Sequence, residues 1–266
     1  MTLRTSVRFV FTVVLLFAHL ACRRAHDPAL DAFQIHPDFE LELAAKEPLV
    51  FDPVDLEFDE HGRAFVMEMP GYPFMAEKGR VILLEDKNRD GVYDQRHVFC
   101  DGLNFADAIL PYRGGLLVAA PPDLIFIKDT NGDNVADVRE VWLTGFAVEN
   151  PQHNFNGFTH GLDNWIYGAN GGNSGKVYWP GDSLKRMPLR DDDFRMNFDA
   201  KKFERIGQSA GGFGFAFDEW GRVFGTHNLE HISQLVMPSR YLSGLPSSLY
   251  NTRLLIAYRN HNRRAA

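Results

Sequence analysis

Short apolar runs separated by turn-forming residues dominate the chain from about residue 50 to residue 230. Two such runs, 80–84 and 124–128, are each followed directly by a cluster of Asp, Asn and Gly. Helical periodicity is almost absent from this region. Short apolar runs bounded by turn residues are typical of β-strands, whereas helices need about ten or more periodic residues. The pattern therefore predicts an all-β chain.

A strand–turn–strand unit recurs at intervals of roughly fifty residues. It is clearest at 58–66, 162–168 and 217–225, and a weaker copy lies at 110–118. Repeats of this length are typical of β-propellers with blades of about four strands, whereas a β-sandwich, the alternative, would not repeat its turns so faithfully. Four units are countable, and six to eight blades would need more chain, so we expect a propeller that is truncated in this sequence.

The domain boundaries follow from changes in composition. The propeller is predicted to occupy residues 30–242, with about four recognisable blades. Residues 231–266 contain no Asp or Glu but five Arg, and residues 243–266 lack the turn residues of the blades. Two interpretations of this atypical basic tail stay open, namely a truncated or frameshifted reading frame and a genuine basic tail.

The first 22 residues resemble an export signal. Two arginines without an acidic residue precede an apolar run of about ten residues, which is too short to span a bilayer as a helix. Leu20-Ala21-Cys22 also resembles a lipoprotein signal, in which Cys22 would carry a lipid anchor. The chain is thus predicted to be exported, either to the periplasm or to the outer side of a membrane.

Composition excludes several classes of function. The net charge of −7 gives no electrostatic footprint for nucleic-acid binding. The two cysteines are too few for a disulfide scaffold, a Cys-rich zinc module or a Cys-ligated iron–sulfur cluster, and the chain has no CxxCH haem attachment motif.

Two polar loops have the spacing of calcium-binding loops, in which alternate oxygen ligands converge on one ion. Each loop places Asp or Asn at positions 1, 3, 5 and 9, and the second adds a Glu at position 12. The alternative is a pair of hairpin tips closed by side-chain turns without an ion. The candidate calcium ligands are Asp86, Asn88, Asp90 and Asp94, then Asp129, Asn131, Asp133, Asp137 and Glu140.

The segment 150–172 is rich in His, Asn and Gly. Such a loop leads into a blade and is expected at one mouth of the propeller. A histidine there can act as a general base because its pKa lies near neutrality. His153 is the candidate base, and the alternative is an ordinary hydrogen-bonded loop histidine.

The stretch His153, Gly157, Gly161, Asp163, Ile166 and Tyr167 resembles the region around the catalytic histidine of soluble quinoprotein glucose/sorbosone dehydrogenases. A more specific resemblance, over residues 39–242, is to a family of membrane-bound dehydrogenases from planctomycetes and verrucomicrobia. It rests on 68–73, the two Asp loops, 143–146, 150–153 and 238–242. The resemblance implies a propeller that is six-bladed in full and oxidises a sugar or alcohol with pyrroloquinoline quinone and calcium. It also implies a cytochrome as redox partner.

The same resemblance implies where a quinone would bind. The segment that carries a cofactor-contacting Arg in quinoproteins corresponds here to 210–214, which has no Arg. Candidate cofactor contacts are Asn154, Asn156, Arg222, His227 and Asn228. Two other functions stay open, because one fold hosts many chemistries. They are a non-catalytic binding or docking propeller of a larger redox protein, and a calcium-dependent lactonase-like hydrolase.

Overall fold

The computed structural model describes residues 27–209, 212–226, 231–242, 244–245 and 252–256. The predicted signal segment and its Cys22 lie outside these ranges. The described residues 27–44 belong to a unit of their own. Its described part contains one 3-10 turn, Pro28–Ala32, capped by Asp27, whose carboxylate accepts a hydrogen bond from the amide of Ala29 at 2.9 Å.

The second unit begins at Ala45 and is built from antiparallel strands. Its described residues contain no α-helix, only three further 3-10 turns, at Ala76–Lys78, Pro151–His153 and Ser239–Tyr241. No helix among the described residues is long and apolar enough to cross a membrane.

The strands form four successive up-and-down sheets, which we call blades 1 to 4. Each blade is a consecutive run of four strands that pair in chain order, apart from a two-stranded insertion in blade 3. Blade 1 contains β1 (Pro53–Phe58), β2 (Ala64–Glu68), β3 (Gly79–Glu85) and β4 (Gln95–Leu103). Blade 2 contains β5 (Ala108–Tyr112), β6 (Gly115–Ala120), β7 (Asp123–Lys128) and β8 (Val138–Phe146).

Blade 3 contains β9 (Phe155–His160), β10 (Ile166–Asn170), β13 (Asp192–Asn197) and β14 (Lys202–Gln208). Its insertion, β11 (Gly175–Tyr178) and β12 (Met187–Pro188), pairs with β8 and so extends the sheet of blade 2. Blade 4 contains β15 (Phe215–Phe217), β16 (Val223–Gly225), β17 (Ser233–Leu235) and β18 (Arg253–Leu255).

The blades pack face to face because alternate strand residues point to opposite faces of a sheet. In β6, Leu116 and Val118 pack against blade 1, while Leu117 and Ala119 pack against blade 3. A smaller apolar cluster joins blade 3 to blade 4 through residues such as Ile206 and Val223. Successive four-stranded sheets stacked in this way are the architecture of a β-propeller, as the repeat predicted.

The repeated strand–turn–strand unit forms the first hairpin of each blade. In blade 1, the carboxylate of Asp59 accepts hydrogen bonds from the amide and the Nε of Arg63. In blade 4, Asp218 binds the amide and side chain of Arg222 in the same way. The Asp and Arg of these two copies therefore close the turn. The two Asp loops recur for a similar reason, since each joins the third and fourth strands of its blade.

Both predicted propeller boundaries differ from the structure. The first strand begins at Pro53, and residues 30–44 belong to the separate N-terminal unit. At the other end, Arg253–Leu255 pairs with β17 and completes blade 4, so the sheet continues past residue 242 into the predicted basic tail. Composition misplaced this boundary because β18 is three residues long and lies beyond residues without turn signals.

Candidate functional site

A pocket of about 720 Å³ lies where the chain enters the first strand of each blade. We call it the mouth pocket. Residues just before or at the start of β1, β5, β9 and β15 line it, together with the connection that follows β2. All four blades thus contribute to one cavity. The lining residues are Asp52, Pro53, Val54, Asp55, Met69, Gly71, Tyr72, Asp107, Pro151, Gln152, Asn156, Gly157 and Phe213.

Two carboxyl groups dominate the polar lining. Asp55 lies in β1 and accepts hydrogen bonds from the amides of Ile109, at 2.8 Å, and Leu56, at 2.9 Å. Asp107 precedes β5, and its Oδ1 is shielded from solvent without a hydrogen-bond partner. Burial raises the pKa of Asp55. Burial and the negative charge of Asp55 raise the pKa of Asp107 well above the ordinary range. One proton is therefore favoured on this pair.

Glu57 extends the acidic character along β1. Asp55 and Glu57 occupy alternate positions and lie opposite Met67 and Phe65 of β2, on the sheet face that packs against blade 2. Burial and the nearby Asp55 charge raise the pKa of Glu57 to about 7. The innermost strand of blade 1 thus carries carboxyl groups on a face that is otherwise apolar.

An amide cluster forms another wall of the mouth. Asn156 is 6% exposed, and its Nδ2 donates to the carbonyl oxygens of Asn154 and Gly212. Asn154 is also buried, and its side chain is held by Asn173 and by the Phe105 carbonyl. Asn156 faces the pocket, whereas Asn154 supports the backbone behind it.

His153 ends the 3-10 turn that precedes β9 and is not among the described lining residues. Its Nδ1 hydrogen-bonds the carbonyl oxygen of Gly171. A carbonyl can only accept, so Nδ1 carries the proton and Nε2 of the neutral ring is left as the acceptor. This tautomer is the one that a general base needs. Gln152, the residue before His153, lines the pocket.

Arg222, another predicted cofactor contact, is not brought to the mouth. Arg222 closes the β15–β16 turn, at the opposite end of β15 from Phe213, and stacks on Trp220. His227 and Asn228 lie outside the described residues. Of the described residues in that set, Asn156 lines the pocket and Asn154 lies behind it.

The two Asp loops lie at the end of the blades opposite the mouth. Both oxygens of Asp86 accept main-chain amides of the loop, from Arg89, Asp90 and Gly91, and Asp129 does the same in the second loop. Glu140 accepts a hydrogen bond from the Trp142 indole instead of completing a loop. No group of three or more His, Cys, Asp or Glu side chains in the described part of the chain has metal-binding geometry. Self-closed turns account for these loops, and calcium binding stays a prediction.

Sequence reasoning missed Asp55, Asp107, Tyr72 and Phe213. A signal existed for Asp55, because β1 reads Pro-Val-Asp-Leu-Glu-Phe and places acids on both alternate positions of one face. Asp107 carried no signal, since an isolated Asp before a strand is common. Its role depends on packing against a residue more than fifty positions away.

The described lining of the mouth pocket does not supply the cationic contacts that suit pyrroloquinoline quinone. This cofactor carries anionic oxygens, whereas the described lining has three carboxyl groups and no Lys or Arg. Like charges brought together at low dielectric repel strongly. The donor set suits a neutral or cationic ligand instead.

The sequence of residues 25–264 matches the family described as "Domain of unknown function (DUF7133)". The chain belongs to this family. No curated protein is detectably similar in sequence to the DUF7133 chain.

Solved structures resemble the DUF7133 chain at low identity. An auxiliary nutrient binding protein from Bacteroides thetaiotaomicron is 16% identical, with a TM-score of 0.44 over 68% of this chain and 37% of that chain. The PQQ domain of pyranose dehydrogenase from Coprinopsis cinerea is 12% identical, with a TM-score of 0.47 over 70% and 44%. A carbohydrate-active enzyme of family AA12 from Trichoderma reesei is 12% identical, with a TM-score of 0.42 over 70% and 46%. The chain thus spans less than half the length of each.

Proposed function

We propose that the DUF7133 chain binds a small polyhydroxylated molecule, a sugar or an alcohol, in its mouth pocket. The observation that carries this proposal is the unsatisfied Oδ1 of Asp107 beside that pocket. A buried polar atom without a partner costs about 1–3 kcal/mol, which a ligand hydroxyl can recover by hydrogen bonding.

The Asp55–Asp107 pair suits hydroxyl groups because a hydroxyl both donates and accepts. The raised pKa of Asp107 favours its protonated form, which can donate, while Asp55 is held by two amides and can accept. Gln152 and the buried Asn156 add neutral polar groups to the opposite wall. The absence of Lys and Arg from the described lining argues against an anionic ligand.

Apolar surface supports the same class of ligand. Tyr72 and Phe213 line the mouth and are 41% and 57% exposed, which leaves their rings available to the carbon-bound faces of a sugar. A pocket with aromatic walls and a few convergent polar groups is typical of small-molecule sites. At 720 Å³, the cavity is large enough for a monosaccharide or disaccharide.

A dehydrogenase-like reaction on the same ligand is the second candidate, and the tautomer of His153 favours it. With Nδ1 bonded to the Gly171 carbonyl, Nε2 can take the proton of a ligand hydroxyl. The hydride of the hydroxyl-bearing carbon would pass to a diffusible quinone or dye, a two-electron acceptor that the described lining does not itself hold. This candidate is also supported by the resemblance to membrane-bound dehydrogenases and by the predicted cytochrome partner. The predicted export agrees with it, whether the chain is free in the periplasm or attached to a membrane through a lipid anchor at Cys22.

Calorimetric titration of the full chain with a panel of aldoses and polyols tests the binding proposal. Asp107→Asn keeps the shape but always presents an amide, and we expect about tenfold weaker binding of the best ligand. Asp101→Asn, an exposed Asp of β4, is the matched control and should bind like the wild type. Undetectable binding across the panel, or equal losses in both variants, would refute the proposal.

The second candidate is tested by dye reduction in the presence of the ligand identified by calorimetry. His153→Ala should bind that ligand but abolish turnover. If the wild type binds without reducing the dye, the chain is a binding propeller and not a dehydrogenase.

A further inference from the structure

A second cavity, of about 810 Å³, lies along the edge strand of blade 3. We call it the rim pocket. The strands β12 and β14 and the segment 190–192 line it, together with Ser239, Arg240, Leu242, Gly244 and Leu245. It shares no described lining residue with the mouth pocket. Nothing in the proposed sugar or alcohol binding uses it.

The rim pocket contains an unsatisfied hydroxyl. Ser239 lines the cavity and is 7% exposed, and its Oγ is shielded from solvent without a hydrogen-bond partner. A buried hydroxyl normally finds a partner, so an orphaned one beside a cavity indicates a missing group. A hydroxyl can donate to an anionic oxygen placed in that cavity.

Three arginines surround the same cavity, namely Arg190, Arg205 and Arg240. Arg240 stacks on the Tyr241 ring, at 4.7 Å from its centroid. The planar guanidinium group presents several donors in a fork that matches the oxygens of carboxylates, sulfates and phosphates. Arginine is therefore the residue expected where an oxyanion is held.

Two of the three carboxylates in the lining are already paired. Asp192 binds Arg205, with 3.0 Å between Oδ2 and Nη1, and Glu204 binds Arg195, with 2.6 Å between Oε2 and Nη2. Arg195 lies outside the described lining and also binds Asp163, so Glu204 is paired without using an arginine of the pocket. The carboxylate that remains to oppose an anion is that of Asp191, which is exposed.

We infer that the rim pocket binds a small oxyanion, such as a sulfate, phosphate or carboxylate group, through Ser239 and its arginines. The group is either a free ion or a substituent of a larger molecule, since the cavity exceeds the size of one inorganic ion.

Equilibrium dialysis of the full chain with labelled sulfate, phosphate and acetate, at constant ionic strength in chloride, tests this inference. We expect saturable binding of at least one of these ions at one site per chain. Arg190→Gln should weaken it about tenfold, as for a charge-assisted hydrogen bond. Asp191→Asn should strengthen it, because it removes the opposing negative charge.

Arg186→Gln is the matched control. Arg186 stacks on Tyr178 outside the described lining, and its loss changes the net charge by the same amount as Arg190→Gln. It should leave affinity within about twofold of the wild type, because screened surface charges act weakly at a distance. Equal weakening by the two variants would show only general attraction and would overturn the inference.

Ser239→Ala distinguishes a role of this hydroxyl in ion binding from a role in stability. The hydroxyl has no partner in the protein alone, so its removal should leave the melting temperature unchanged or higher while affinity falls several-fold. No saturable binding of any of the three ions, or a lower melting temperature with unchanged affinity in Ser239→Ala, would overturn the proposed site.

Discussion

At the scale of single residues, the carboxyl group of Glu57 makes stability depend on pH. Burial and the Asp55 charge raise its pKa from 4.5 to about 7 in the folded chain. The folded state therefore holds a proton that the unfolded chain releases near pH 4.5. The resulting stabilisation is fully present below pH 4.5 and is lost as the pH rises through 7.

Glu57→Gln should flatten this dependence between pH 4.5 and 7. After allowance for solvent screening, we expect the variant to gain about 1 kcal/mol relative to the wild type at pH 8. Urea unfolding at pH 5 and pH 8 measures the difference. Glu60→Gln, in the exposed β1–β2 turn, is the control, and an identical pH slope in both variants would contradict the prediction. Asp107 acts in the same direction and retains part of the slope in the variant.

Sequence patterns predicted part of the site. The segment around His153 was predicted to reach a mouth, and the structure places Gln152 and Asn156 there. The carboxyl pair was not predicted, because Asp55 and Asp107 belong to different blades and their pKa values depend on burial. Arg222 binds Asp218 in a turn, and a conformational role of this kind leaves the same sequence signal as a ligand contact, so its role as a cofactor contact stays a prediction.

At the scale of elements, the contact between β9 and the segment before β15 sets the spacing of blades 3 and 4 at the mouth. Gly157 has a φ of 57°, and a Cβ there would lie 2.2 Å from the Cα of Gly214. Only glycine accommodates both the positive φ and this close backbone approach. The mouth wall formed by Gly157 and Phe213 thus depends on the absence of a side chain.

Gly157→Ala should destabilise the chain by more than about 2 kcal/mol, because conformational strain adds to a steric clash. Gly181→Ala is the matched control, since Gly181 has a φ of 87° with no atom within 4 Å of the added Cβ. It should cost about 1 kcal/mol. Chemical denaturation of both variants checks the prediction, which fails if the two costs are equal.

The strand pattern of the blades was largely predictable, because alternate apolar residues and turn signals are local properties. The pairing of β11 with β8 was not, since it joins an insertion of one blade to the sheet of another. Short strands such as β18 also escaped, because three residues carry too little periodicity.

At the scale of the whole 45–256 unit, one row of apolar side chains faces solvent on β1. Val54, Leu56 and Phe58 are 47%, 50% and 55% exposed, and they share a sheet face with Ala64 and Val66. Contiguous apolar surface of this kind promotes association between molecules.

Leu56→Lys should reduce self-association, because it places a charge in the middle of this row. Dynamic light scattering over a concentration series measures the effect. Leu184→Lys is the control, since Leu184 is 97% exposed and lies outside the row. If the wild type associates and the two variants behave alike, either both monomeric or both associated, then the apolar row of β1 is not the cause.

The pairing of β11 with β8 affects which blades can unfold locally on their own. Adjacent blades of a repeat protein can separate locally, with nearest-neighbour interfaces setting the cost. Here the chain leaves blade 3 after β10, pairs with the edge of blade 2, and returns to form β13. The edge strand β8 of blade 2 therefore becomes exposed only if β11 detaches, and β11 belongs to the connection between β10 and β13 of blade 3. The two blades are expected to form a single cooperative unit in hydrogen exchange, while blade 4, with strands of three residues, exchanges earlier.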